Sequence, residues 1–126
     1  TLFPYTTLFR SVKLGQLGRT LTHASRIQGG GLELDRLAKT VTARGQAVQL
    51  TPKALALLEY LMVHHGETFS RDHLLEQVWG VEFAITTRAV DHRVAELRKV
   101  LGARGLEVID TVQGIGYRFH PEVRAA

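Results

Sequence analysis

An α+β fold is what this sequence predicts, with an N-terminal antiparallel sheet, three helices and a C-terminal β-hairpin. Three observations carry that expectation. Between Leu32 and Leu50, short runs of β-branched and aliphatic residues alternate with polar ones. Thr51-Pro52, Ser70 and Thr86-Thr87 then stand before three stretches whose apolar residues recur at helical spacing. Finally, VIDTVQGIGYRF reads as two strands about a glycine-containing turn.

Strands are expected near residues 32–35, 38–43 and 46–50, with a turn at Arg44-Gly45. Thr51 is a capping side chain, and Pro52 follows it at the first helical position, where proline is best tolerated. Leu55, Leu58, Tyr60, Leu61 and Met62 give an apolar face, so the first helix spans about 52 to 65. Gly66 stops it, and Thr68 and Phe69 make a brief extended link. Ser70 caps a second helix whose Leu74, Leu75, Val78 and Trp79 recur up to Gly80. After a loop to Ile85, Thr86 or Thr87 caps the third helix. There Val90, Val94, Leu97 and Leu101 form the buried stripe, opposite Arg88, His92, Ala95, Glu96 and Lys99, with Arg93 and Arg98 on the flanks. In the hairpin, Thr111, Tyr117 and Phe119 are read as core, and Gly114 and Gly116 as permitting the turn.

Of the 126 residues, 44% are hydrophobic and 22% charged, enough for one compact core plus a tail. No cysteine is present, which excludes disulfides, zinc–thiolate sites and cysteine nucleophiles. The six histidines show no ligand pattern, and no nucleophile motif, phosphate loop or acid pair stands on common elements. Neither enzyme activity nor a cofactor or metal is expected. His64-His65 reads as a helix-end pair meeting the negative dipole end, and Trp79 as core. No apolar run reaches the roughly 18 residues that cross a bilayer, and no secretory signal is recognisable, so a cytoplasmic setting without membrane contact is expected.

The net charge of +4 says little about partners. Residues 32–121 hold eleven Lys/Arg against eleven Asp/Glu, and the surplus sits at the ends. Residues 1–11, TLFPYTTLFRS, look like a non-native or disordered lead, similar to translated adaptor sequence. Residues 12–31 are poor in large apolar groups and end in Gly29-Gly30-Gly31, which reads as a linker. A domain boundary is expected near residue 31, the domain itself over 32–121, and a tail over 122–126.

Three helices, a short turn between the last two and a closing hairpin form the element order of a winged helix-turn-helix. From Thr86 to Leu101, Arg88, Arg93, Arg98 and Lys99 stand against Asp91 and Glu96, a local surplus of two positive charges that a solvated amphipathic face explains equally well. The residues go further. LTPKALALLEYLMVHHGETFSRDHLLEQVWG, then TRAVDHRVAELRKVLG and IDTVQGIGYRF, resemble OmpR/PhoB-type effector domains over about residues 32 to 120. The anchors are Leu50-Thr51, Ser70-Arg71 with Leu74, Trp79-Gly80, Arg88, Val90-Asp91, Leu97-Arg98-Lys99, Thr111-Val112, Gly114 and Gly116-Tyr117-Arg118.

The resemblance implies a four-stranded N-terminal sheet, a third helix in the DNA major groove and a wing at the adjacent minor groove. It places His92, Arg93 and Glu96 at base edges, and Thr51, Arg71, Arg88, Arg98, Lys99 and Arg118 at phosphates or groove edges. Gln113, Gly114, Ile115 and Gly116 would form the wing. Arg93 is the best base reader, since arginine meets guanine with two parallel hydrogen bonds. Val81, Glu82 and Phe83 fall in a loop that contacts RNA polymerase in some members; a packed turn burying Phe83 is the other reading. Two positions depart from the family pattern: Ala95-Glu96 replaces a pair that is often basic or polar, and Gln113 stands where the wing often has Arg. Glu96 could accept from a cytosine amino group. VKLGQLGRT, residues 12–20, resembles the end of a receiver domain. The implied protein is the effector part of a two-component, phosphorelay response regulator with its receiver missing, regulating transcription as a homodimer on tandem half-sites of double-stranded DNA. The rival reading is a winged-helix protein-interaction module without specific DNA binding.

Overall fold

The computed structural model describes residues 21, 23–80 and 86–126. The N-terminal lead, the receiver-like stretch at 12–20 and the loop with Val81, Glu82 and Phe83 lie outside these residues.

Five antiparallel strands form the first sheet, in the order β4-β3-β2-β1-β8. They are β1 (Arg26–Gly29), β2 (Leu32–Asp35), β3 (Thr40–Ala43), β4 (Gln46–Ala47) and β8 (Arg124–Ala125). Period-two alternation sets their faces: Ile27, Leu32, Leu34, Val41 and Ala43 point into the core, and Glu33, Asp35 and Thr42 point away. Two corrections to the sequence reading follow. The glycine run is not a linker, because Gly30 and Gly31, at φ +61° and +85°, make the two-residue turn of the β1–β2 hairpin, in which Gly29 pairs with Leu32. The chain after residue 121 is not a free tail either, because Val123 is fully buried and β8 pairs with β1. Sequence reading lost both strands because each is short and half polar.

The third strand is shorter than expected. Asp35 Oδ1 accepts from the N–H groups of Leu37 and Ala38 at 3.0 and 2.9 Å, holding 35–39 in a turn. The next strand stops at Ala47 rather than Leu50.

Helix α1 (Pro52–Val63) begins as predicted, with Thr51 Oγ1 accepting from Ala54 N at 3.4 Å. Its Ala54, Leu57, Leu58, Leu61 and Met62 are fully buried. After β5 (Thr68–Ser70), the Ser70 hydroxyl caps α2 (Arg71–Leu74) at His73 N, 3.1 Å. The helix then widens into a π turn over Leu75–Trp79, closed by Gly80 N–H to Leu75 O at 3.2 Å. That widening leaves Val78 and Trp79 half-buried rather than in the core. Helix α3 (Arg88–Gly102) buries Val90, Val94, Leu97 and Leu101, as its spacing predicted. No side-chain hydrogen bond caps it, contrary to the expectation for Thr86 or Thr87.

The second sheet runs β5-β7-β6, with β6 (Ile109–Val112) and β7 (Gly116–Phe119) forming the hairpin. Gly116 is there for space. A Cβ on it would strike the Phe69 carbonyl of the adjacent strand, and backbone cannot move aside as a side chain can. Thr111 is exposed rather than core.

One carboxylate joins the helices to the hairpin. Asp91, near the start of α3, accepts from Arg71 Nη1 at 2.9 Å and from the Tyr117 hydroxyl at 2.7 Å. Burial opposes the charge on Asp91, but the bonds from Tyr117 and Arg71 outweigh it, and the carboxyl ionises below its ordinary range.

Two outcomes follow in urea unfolding. Gly116→Ala should cost toward the upper end of the about 1–3 kcal/mol usual for overpacking. Gly114→Ala, with nothing within 4 Å of its Cβ position, should cost less. As for Asp91, a depressed folded-state pKa gives stability that is complete above the unfolded value of about 3.9 and lost as pH falls through the folded one. Asp91→Asn should therefore lower the midpoint at pH 7 and shrink the loss below about pH 4. It should not abolish that loss, since Asp35 and Asp110 also ionise low.

Candidate nucleic-acid interface

Burying one stripe of α3 turns the opposite side outward. Arg88, His92, Ala95 and Lys99 are exposed, as the helical wheel predicted, and so is Arg98 from the flank. Among the described residues Arg88 and Lys99 make no ion pair, so their charge faces solvent.

Arg93 and Glu96 do not share that exposure; their side chains keep 32% and 20% of their accessible surface. Both lean toward the N-terminus of α1. Glu96 Oε2 accepts from Thr51 N at 2.8 Å, and Glu96 Oε1 accepts from Thr51 Oγ1 at 2.7 Å and from Arg93 Nη1 at 2.7 Å. Arg93 Nη1 also donates to Thr51 Oγ1 at 2.9 Å. The helix wheel placed Glu96 among the outward residues, yet its carboxylate is turned back onto the chain. The cause is the open N–H groups and positive dipole end of α1, which attract an anion. Beside this knot, Thr51, Pro52, Lys53, Trp79, Ala89, His92 and Arg93 line a groove of about 370 Å³. Trp79 forms part of its wall, and Lys53 Nζ lies 5.9 Å from the centre of the Trp79 ring.

The remaining cations are held at the hairpin. Arg98 Nη2 donates to Ile109 O at 3.0 Å and Thr111 Oγ1 at 2.7 Å, and its guanidinium lies 5.6 Å from the Tyr117 ring centre. Arg118 pairs with Asp110 at 2.9 Å, which also contacts His120 Nδ1 at 2.9 Å. The Arg118 bond is the main reason that Asp110 ionises low. Arg71 keeps half its side-chain surface while paired with Asp91, and it lines a concavity of about 260 Å³ with the hairpin loop. At the hairpin tip Gln113, Gly114 and Ile115 are exposed, Ile115 to 59%, and Ile115 N–H closes the turn onto Val112 O at 2.9 Å.

Thr51, Arg93 and His92 thus line one groove, with Glu96 bonded to Thr51 and Arg93 beside it, and Arg71 and Arg98 meet the hairpin. Sequence reasoning missed the contact between Thr51 and Glu96, 45 residues apart, and no local signal announces it. It also missed that Asp91 joins Arg71 to Tyr117, although all three stood among the recognised anchors. His64 stands at the helix end as expected, as the C-cap of α1, while its ring packs 4.6 Å from Tyr60 and 5.8 Å from Phe69, and burial lowers its pKa. His73 stacks on Phe69 and shares a 2.8 Å hydrogen bond with the Tyr60 hydroxyl.

Residues 45–119 match the family described as transcriptional regulatory protein, C terminal. The chain is 39% identical over 93 residues to the phosphate regulon transcriptional regulatory protein PhoB of Pseudomonas aeruginosa, covering 74% of this chain and 41% of that protein. Its similarity to PhoB of Rhizobium meliloti is 44% over 89 residues, or 70% and 39% of the two chains. The chain therefore spans about two fifths of the length of these curated relatives. Among solved structures, the RstA DNA-binding domain of Klebsiella pneumoniae in complex with the RstA box superposes with a TM-score of 0.66 at 33% identity, over 75% of this chain and 96% of that one. The DNA-binding domain of Escherichia coli CadC gives 0.72 at 27%, over 81% and 97%. DrrB of Thermotoga maritima, an OmpR/PhoB homologue, gives 0.70 at 26%, over 95% and 55%. With this match, these relatives and a winged helix-turn-helix built as α+β, the chain belongs to the OmpR/PhoB-type family of C-terminal domains of transcriptional regulatory proteins.

Proposed function

We propose that the chain binds double-stranded DNA at specific sequences to regulate transcription, as the effector part of a response regulator in a two-component phosphorelay. The observation that carries this reading is the outward side of α3, where Arg88, His92 and Lys99 are exposed beside Arg93, while its other side is locked in the core. A helix fits the major groove, where each base pair shows a distinct donor and acceptor pattern. One of the solved relatives, RstA, is a DNA-binding domain described in complex with the RstA box.

In this reading Arg93 and His92 reach base edges. Thr51, Arg71, Arg88, Arg98, Lys99 and Arg118 meet phosphates or groove edges, and Gln113, Gly114, Ile115 and Gly116 form the wing at the minor groove. Arg88 and Lys99 carry most of the salt dependence, since among the described residues they have no acid to exchange for a phosphate. The protein binds tandem half-sites as a homodimer, and Val81, Glu82 and Phe83 contact RNA polymerase. Nothing in the described residues asks for catalysis, and none of their helices is long and apolar enough to cross a membrane; a cytoplasmic place of work suits this role.

Selection of sites from a random duplex pool by the 126-residue chain tests the reading. A short repeated motif should emerge, and Arg93→Ala should weaken discrimination at one guanine by about tenfold, in line with about 1–3 kcal/mol per bidentate contact. Lys99→Ala should act differently, lowering affinity for all sequences and reducing the slope of log affinity against log salt by about one unit. Absence of binding even at low salt would reject DNA as the partner and leave α3 to a partner protein.

A further inference from the structure

The knot at the start of α1 uses Arg93 in a specific way. Nη1 of a guanidinium carries two protons, and in Arg93 it donates to two acceptors, Glu96 Oε1 at 2.7 Å and Thr51 Oγ1 at 2.9 Å. The two acceptors are themselves bonded at 2.7 Å, so the three groups close a triangle that holds the Nη1 end of the guanidinium in place. The other edge, with the parallel Nε–H and Nη2–H, has no partner among the described residues. That edge is a fork of the geometry that meets two acceptors side by side, such as O6 and N7 of guanine.

Glu96 itself already accepts three bonds. Its Oε2 takes the Thr51 N–H, and its Oε1 takes the Thr51 hydroxyl and Arg93. Thr51 Oγ1 uses its one proton on Glu96 and accepts from both Arg93 and Ala54. An anion seated at the positive end of α1 therefore holds the arginine, and little of the carboxylate is left to accept from a base.

We propose that Glu96 is a positioning residue for Arg93: with Thr51 it clamps one edge of the guanidinium so that the Nε–Nη2 edge meets guanine, making Glu96 a determinant of guanine selectivity rather than a reader of cytosine. The proposal rests on the DNA-binding reading above. It has a cost in affinity, because Glu96 cancels the charge of Arg93 and sets a carboxylate close to where DNA phosphates would pass. Selectivity rises at the expense of general attraction.

The two roles are told apart by which base position loses discrimination. With the clamp, Glu96→Ala strengthens binding to random DNA and steepens its salt dependence by about one unit, because Arg93 becomes free to pair with phosphate. Discrimination at the guanine lost in Arg93→Ala falls about tenfold in Glu96→Ala. Thr51→Ala produces the same loss at that guanine, Thr51→Ser restores it, and the double variant Thr51→Ala/Glu96→Ala loses no more than either alone. A cytosine reader would instead lose preference at a separate cytosine position, with the guanine untouched and Thr51 irrelevant. That result, or additive losses in the double variant, overturns the proposal.

A DNA-free measurement separates failure of the clamp from failure of the DNA reading. In the free chain, nitrogen-detected NMR of Arg93 should show distinct Nη1 and Nη2 signals from hindered rotation about Cζ–Nε, merging in Glu96→Ala and partly retained in Glu96→Gln. Merged signals in the wild type would overturn the clamp whatever the DNA experiments give. Distinct signals with no DNA binding would instead reject the DNA reading, and with it the assigned role.

Discussion

Rotation of α3 about its own axis is the constraint on which the interface depends. Val90, Val94, Leu97 and Leu101 are all at most 1% exposed, and α3 packs against α1 and α2 through that stripe. Each such side chain is worth about 1.5–3 kcal/mol of burial, so a turn of the helix that exposed even one of them would consume much of the stability of a small domain. The outward residues are set by the inward ones. Asp91 then fixes the helix from its polar flank, with Arg71 of α2 on one side and Tyr117 of the hairpin on the other, so α2 and the hairpin each lose a bond if they shift along α3.

The charged side chains divide by job. Arg71, Arg93 and Arg118 each pair with an acid at 2.7 to 2.9 Å, whereas Arg88 and Lys99 have no such partner among the described residues. Exposed ion pairs contribute about 0.2–1 kcal/mol each, too little to explain why so many acids stand among the cations of a proposed polyanion site. Placement is the better account: an unpaired arginine samples many rotamers, and a paired one presents a defined edge. Within residues 32–121 eleven Lys/Arg stand against eleven Asp/Glu, so pI is a poor guide to the partner.

Much of this was legible in the sequence. The α3 stripe could be read from steps of four, three and four, and Thr51-Pro52 and Ser70 announced their helices, because capping and periodicity are local properties. The first hairpin is less legible. Ile27, Leu32 and Leu34 alternate across Gly30-Gly31, a two-residue turn, but three consecutive glycines have the composition of a flexible linker as well. Val123 and β8 were invisible because a two-residue strand has no period. What lay beyond local reasoning was direction: Glu96 stands on the outward half of the wheel by angle, and only its proximity to the α1 N-terminus, brought there by folding, turns its carboxylate inward.

The claim that α3 and the hairpin tip together form a DNA-binding surface can be tested without knowing the target site. Backbone amide shifts of the 126-residue chain would be followed on titration with a mixed-sequence duplex at low salt. The account predicts changes concentrated in Arg88 to Lys99, Thr51 and Gln113 to Ile115, with strands β1 to β4 undisturbed. Changes centred on the N-terminal sheet, with α3 silent, would contradict it.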